Sequence, residues 1–145
     1  MNQPTPQLKP SASILLIDDH PLLRRGVKQL IDLDPALQVI AEASDAQSGL
    51  EQAQQHQPDL ILLDLNMPHI NGIESLKLMR AAGVNCFIIV FTVSDDEEDL
   101  LAALKAGADG YLLKDMEPED LLDKLHQAAH GKVVISDQLS GLLAQ

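Results

Sequence analysis

The chain is poor in cysteine, aromatic residues, basic residues and long apolar runs. It has one cysteine, one tyrosine, two phenylalanines and no tryptophan, and its ten Lys and Arg face 22 Asp and Glu. A lone Cys86 excludes an internal disulfide framework. The formal net charge of -12 repels nucleic acid phosphates and anionic membrane surfaces, so this chain by itself is not expected to bind DNA or a membrane. No apolar stretch approaches the roughly 20 residues that a membrane helix needs. The opening MNQPTPQLKPSAS carries no apolar signal region either, and a cytoplasmic protein is expected.

What is present is an alternation. At 145 residues and 46% hydrophobic composition, the chain suffices for one core. Short β-rich runs stand at ILLID (14–18), LQVIAEA (37–43), LILLD (60–64), FIIVFT (87–92) and GYLLK (110–114). Three are continuously apolar, as strands buried on both faces are. Between them apolar residues recur at helical spacing, as in Leu22, Leu23, Val27, Leu30 and Ile31, or Leu121, Leu122, Leu125 and Ala129. Pro21 and Pro118 suit first helical turns, while Gly83, Gly107 and Gly131 suit helix ends. The pattern predicts an α/β fold, (βα)5, with a doubly wound parallel sheet of five strands in the order 2-1-3-4-5. Residues 1–12 read as a flexible tail, 13–131 as the folded domain and 132–145 as a linker segment.

In such sheets ligands sit beyond the carboxyl ends of the strands, at the point where the order reverses. Asp18 and Asp19 end the first strand, Asp64 the third, Thr92 the fourth and Lys114 the fifth. Strands one and three are neighbours in this order, so three carboxylates converge on one crevice. Two carboxylates about 5 Å apart repel by roughly 3 kcal/mol at an effective dielectric of about 20, so the cluster calls for a cation. A hard divalent ion with oxygen ligands, Mg²⁺, is the simplest solution. With a lysine, a hydroxyl and a carboxylate nucleophile beside it, the set describes phosphoryl transfer.

IDDHP, LLDLNMP, NG, VFTVSD and GADGYLLKD, in that order at successive strand ends, resemble the receiver domain of bacterial two-component response regulators over about Ser13 to Gly131. IDDHPLLRRGVKQLI and GADGYLLKDMEPEDLL further resemble the NarL/FixJ subfamily. The resemblance implies a flavodoxin-like (CheY-like) fold that accepts a phosphoryl group on Asp64 from a sensor histidine kinase. It implies Mg²⁺ held by Asp18, Asp19, Asp64 and the backbone carbonyl of Asn66, with Thr92 on a phosphoryl oxygen and Lys114 paired with the phosphoryl group. Thr92 and Tyr111 would form the switch, Tyr111 turning inward on phosphorylation. It further implies self-catalysed phosphorylation and dephosphorylation, receivers that pair when phosphorylated, and output through a C-terminal helix-turn-helix DNA-binding domain that this chain lacks. Two departures stand out: Val93 replaces a smaller residue after Thr92 and narrows access, and Asp115 replaces a proline after Lys114 and competes for the lysine.

Other readings are weaker. Asp18 and Asp19 could simply cap the next helix. His126 and His130 have the spacing of a metal pair but no third ligand, and read as exposed helix residues. His20 reads as a loop or helix-start residue, because Mg²⁺ prefers oxygen. SDDEED (94–99) favours a helix N-terminus through the macrodipole. A flavodoxin-like cofactor module would need a phosphate loop where this chain has two carboxylates. An aspartyl-phosphate-forming Mg²⁺ phosphatase of the haloacid dehalogenase type is the closer alternative, although its usual DxD and cap are not visible.

Overall fold

The structure is a computed structural model that describes residues 12–67 and 70–143. Six parallel strands form one sheet: β1 (Ala12–Ile17), β2 (Leu37–Ala43), β3 (Leu60–Leu63), β4 (Phe87–Thr92), β5 (Gly110–Leu113) and β6 (Val134–Ile135), in the order β2-β1-β3-β4-β5-β6. The helices are α1 (Pro21–Asp32), α2 (Ala46–His56), α3 (Gly72–Ala81), α4 (Glu97–Lys105), α5 (Pro118–Ala129) and α6 (Asp137–Leu143). The predicted order of five strands holds, with a sixth added at the edge.

The apolar runs work as expected of strands covered twice. Leu15, Ile17, Ile61, Leu63, Ile88, Val90, Tyr111 and Leu113 pack with α2, α3, α4 and α6 through residues such as Ala53, Leu76, Leu100 and Leu139. Their alternates, Ile14, Leu16, Leu60, Leu62, Ile89, Phe91 and Leu112, pack with α1 and α5 through Val27, Ile31, Leu121 and Leu125. The period of two in each strand thus divides one sequence run between two cores. Each such side chain contributes about 1.5–3 kcal/mol on burial.

The punctuation also holds. Pro21 and Pro118 open α1 and α5, and Gly83, Gly107 and Gly131 adopt positive φ after α3, α4 and α5. At α4, Asp96 accepts from Glu98 N at 3.0 Å, and Glu97, Glu98 and Asp99 fill the first turn, so part of SDDEED is spent on the helix start.

Two boundaries are corrected. Ala12, expected in the tail, already belongs to β1, and the remainder of that tail lies outside the described residues. Within the segment 132–145, expected as a linker, residues 134–135 form β6 and 137–143 form α6, and 144–145 lie outside the described residues. β6 pairs with β5 at Gly110↔Val134 and Tyr111↔Ile135, Leu113 N donates to Ser136 Oγ at 2.8 Å, and Leu139 is buried. Gly110 permits this: a Cβ there would lie 2.7 Å from Val134 Cγ2 and 2.8 Å from its carbonyl oxygen.

At the pole where β4 and β5 begin, Arg80 of α3 spends all five of its N–H donors. Nε and Nη2 donate to Gly107 O at 3.0 and 2.7 Å, Nη1 to Val84 O at 2.9 Å and Cys86 O at 2.8 Å, and Nη2 to Asp109 Oδ2 at 2.7 Å. Asp109 Oδ2 also accepts from Ile88 N at 3.0 Å. One planar guanidinium therefore joins α3 to the starts of two strands. Beside it, burial pushes the Cys86 thiol up to about 11. Burial likewise raises the Tyr111 phenol, whose OH donates to Ser94 O at 2.9 Å.

Both raised groups make stability fall as pH climbs, because the unfolded chain releases these protons first. Phenolate absorbance in an alkaline titration should therefore appear together with loss of helical circular dichroism. Alkylation of Cys86 should stay slow at pH 8 until denaturant is added. Phenolate signal from a fully folded chain near pH 10, where a free tyrosine titrates, would contradict this.

Candidate metal and phosphoryl site

The opposite pole gathers the acids. Asp18 follows β1 and Asp64 follows β3, and these strands pair at Ile17↔Leu63, which brings the two carboxylates side by side. Asp64 is 1% exposed and Asp18 is buried as well. One ligand atom each from Asp18, Asp19, His20 and Asp64 lies within 4.8 Å of all the others. Lys114, just past β5, donates from Nζ to Asp18 Oδ2 at 2.9 Å and stands 3.4 Å from Asp64 Oδ1. Thr92 ends β4, fully buried, and its Oγ1 accepts from Ser94 N at 3.2 Å and Asn66 Nδ2 at 3.4 Å. Asn66 N donates to Asp64 Oδ1 at 3.1 Å.

The topology thus unites Asp18, Asp19, Asp64, Thr92, Lys114 and Asn66 at one end of the sheet. Lys114 pairs with Asp18 and Asp64, and Asp115 is exposed. Val93 is 72% exposed. The capping alternative for the acid pair fails, since the N-cap of α1 is His20 and Asp18 Oδ1 accepts instead from His20 N at 2.8 Å, ahead of the helix. His126 and His130 form no metal pair: His126 Nε2 meets the Asp34 carboxylate, half-buried, and His130 Nδ1 bonds to His126 O at 2.8 Å. The Ala36 N–H and His126 hold Asp34 below the usual carboxylate range.

Tyr111 differs from expectation. Its ring is 0% exposed and already lies inward, with no phosphoryl group required to bring it there. Its place in β5 between Gly110 and Leu112 turns it into the α4 side of the core, in one cluster with Leu100 and Ala103.

Arg24 was not legible as a site residue. Its Nη1 donates to Asp18 O at 2.5 Å and its Nε to Glu42 Oε1 at 3.0 Å, so the first helix holds the backbone of the acid loop against β2. The only trace in sequence is a basic residue in the second turn after IDDHP, which resembles any exposed helix cation.

The donor set fits a divalent ion. Burial pushes the Asp64 carboxyl above its usual range, opposed by the Asn66 N–H and Lys114. Asp64 Oδ2 and Asp19 Oδ1 are buried with no hydrogen-bond partner. Two orphaned acceptors beside one lysine are costly unless a cation joins them. Asp64→Asn removes one such charge while keeping shape, so without divalent ions its Tm should exceed the parent's, and Mg²⁺ should raise it less. Equal melting in both conditions would mean that the acids do not share a site.

Comparison with known proteins agrees with this geometry. Residues 14–126 match the response regulator receiver domain family. The chain is 59% identical over 133 residues to the nitrate/nitrite response regulator protein NarL of Escherichia coli K12, covering 92% of this chain and 62% of that protein. It is 46% identical to NarP of the same organism, over 91% of this chain and 61% of NarP. Among solved structures, a LuxR-family two-component response regulator from Aurantimonas superposes with a TM-score of 0.87 at 32% identity, covering 92% and 95% of the two chains. The receiver domain of a putative NarL from Mycobacterium tuberculosis gives 0.79 at 30% identity, covering 83% and 98%.

The chain belongs to the response regulator receiver family. It is a signalling domain of the CheY-like fold, not a classical enzyme, and the haloacid dehalogenase alternative finds no support in either comparison. It spans about three-fifths of the length of the curated relatives it matches, 62% of NarL and 61% of NarP. Among the described residues no helix is long and apolar enough to cross a membrane.

Proposed function

We propose that this receiver takes a phosphoryl group from a sensor histidine kinase onto Asp64 and thereby controls a DNA-binding output domain in a nitrate/nitrite-responsive regulator. The observation that carries it is the buried Asp64 carboxylate, with Oδ2 unpartnered and Oδ1 held by Asn66 N and near Lys114. The two nitrogen donors fix the carboxylate while one oxygen stays free to attack. The new O–P bond forms as the P–N bond of the phosphohistidine breaks, and the electron pair leaves with the imidazole. Asp18, Asp19, Asp64 and the Asn66 backbone carbonyl would hold Mg²⁺, which when bound offsets the negative charge of the acids and the phosphoryl oxygens.

Lys114 pairs with the phosphoryl group once Asp64 carries it as an acyl phosphate, and the Thr92 hydroxyl donates to one of its oxygens. Its Oγ1 already accepts from Ser94 N and Asn66 Nδ2, so a hydroxyl drawn toward the phosphoryl group pulls on Ser94 and makes the loop after β4 responsive to phosphorylation. Tyr111, already inward and bonded to Ser94 O, is the second anchor of that loop. The same groups serve self-catalysed phosphorylation from small donors and later hydrolysis by water. Pairing of phosphorylated receivers extends the reading. The nitrate/nitrite assignment draws on the likeness to NarL and NarP. At a net charge of -12, DNA contact falls to the output domain and not to these residues.

Intact mass after incubation with acetyl phosphate and Mg²⁺ tests the reading. One phosphoryl group should be gained by the parent chain, none without divalent ions and none by Asp64→Asn. A gain that survives in Asp64→Asn would move the acceptor elsewhere.

A further inference from the structure

We propose that Arg24 is a positioning residue for this site, and that Glu42 of β2 holds it to that task. The inference rests on the metal-dependent reading above. Asp18 is fixed by its own bonds: its N donates to Ala43 O at 3.0 Å, Oδ1 accepts from His20 N at 2.8 Å, and Oδ2 accepts from Lys114 Nζ at 2.9 Å. Asp19 has no such tether among the described residues. Its Oδ1 is buried without a hydrogen-bond partner, 3.1 Å from the His20 ring. The aim of the Asp19 carboxylate therefore depends on the peptide that joins it to Asp18. The oxygen of that peptide is Asp18 O, to which Arg24 Nη1 donates at 2.5 Å.

Arg24 can hold this oxygen because its fork is gripped from the other side, where Nε donates to Glu42 Oε1 at 3.0 Å. Glu42 reaches it through an irregularity in β2. Ile14 pairs with Val39 but Leu15 pairs with Ala41, so Ile40 is an extra residue in the ladder. Val39 and Ala41, which strict alternation would put on one face, accordingly join opposite cores: Val39 lies with Ile14 and Val27, Ala41 with Leu15 and Ile17. Glu42, opposite Leu16, is thereby turned to the face that α1 covers. Without the extra residue it would point to the α2 side, out of reach of Arg24. An inserted residue that re-aims a side chain beside a site is a recurrent use of such irregularities.

A role in geometry and a role in charge predict opposite signs. Arg24 is a cation near a cation site, so deleting its charge would by electrostatics alone tighten Mg²⁺ binding. Freeing the peptide between Asp18 and Asp19 weakens it, because ligands lose affinity when the groups that orient them are removed.

Mg²⁺ is titrated into the parent chain and its variants and followed by amide NMR shifts, with phosphoryl uptake from acetyl phosphate measured at each Mg²⁺ concentration. Arg24→Ala should weaken Mg²⁺ binding about tenfold, and Arg24→Lys, which keeps the charge but not the fork, about threefold. Glu42→Ala should weaken it about threefold more than Glu42→Gln, which makes the same change in charge but keeps an acceptor for Nε. In each weakened variant the Mg²⁺ concentration for half-maximal uptake should rise by more than the saturated rate falls. Melting of the metal-free variants establishes that they fold, and Arg24→Lys carries the test if Arg24→Ala does not.

Mg²⁺ binding by Arg24→Ala or Arg24→Lys as tight as the parent's, or tighter, would overturn the proposal. Equal binding by Glu42→Ala and Glu42→Gln would overturn the part given to Glu42. A parent that neither binds Mg²⁺ nor takes up a phosphoryl group would overturn the site reading itself, whereas a parent that does both, with unweakened variants, removes Arg24 alone.

Discussion

Gly72→Ala should cost about 3 kcal/mol of stability and slow phosphoryl uptake on Asp64 by about a hundredfold. A Cβ at Gly72 would lie 2.4 Å from Leu65 Cα and 2.8 Å from both Asp64 O and Leu65 Cδ2. Two of these atoms are backbone and cannot swing aside. Gly72 N also donates to Leu65 O at 2.9 Å, so the start of α3 is bonded to the segment it would have to push. The added methyl therefore moves the residues that carry the acceptor, and a shift of about 1 Å suffices for a large kinetic loss. Urea denaturation together with the rate of phosphoryl gain by mass checks both halves. Parent-like stability would show that α3 can slide, and a parent-like rate in a destabilised variant would uncouple α3 from Asp64.

Arg80→Ala should lower stability by about 3 kcal/mol or more without abolishing phosphoryl uptake by the folded fraction. The loss comes from acceptors left behind: Gly107 O, Val84 O, Cys86 O and Asp109 all lose a charged donor at once. Arg80→Lys should recover less than half, since three donors on a flexible stem cannot reproduce a planar fork of five. Equal urea midpoints for Arg80→Lys and the parent would refute the view that geometry, beyond charge, holds this pole together.

These two residues also mark what a linear reading could and could not see. Strands β2 and β4 match their predicted runs, because an apolar run bounded by turn residues is a local signal that tertiary structure only has to accept. The site was legible for a similar reason. Parallel topology places every strand's carboxyl end at one pole, so Asp18, Asp64, Thr92 and Lys114 needed only correct strands to be brought together. Arg80 looked like any cation in a last helical turn, since its partners are carbonyls from separate segments. His20 was read by its position, whereas its Nδ1 lies 3.0 Å from Asp18 Oδ1 and 3.1 Å from Asp19 Oδ1, a contact that only the folded loop makes. β6 was invisible as a run, because two residues carry no period. Its one trace was Gly110, small where Val134 would otherwise collide with a side chain.

That two-residue strand has a consequence for the molecule in crowded company. The outer edge of a sheet offers unpaired N–H and carbonyl groups, and a long, flat, apolar edge invites a second chain to add itself and begin aggregation. Without residues 134–135 this sheet would end on β5, whose GYLL is wholly buried and apolar. With them it ends on a strand too short to template another, which runs at once into α6. The segment that looks like a connector thereby also serves as a selvedge, finishing the fabric so that it does not fray into its neighbours.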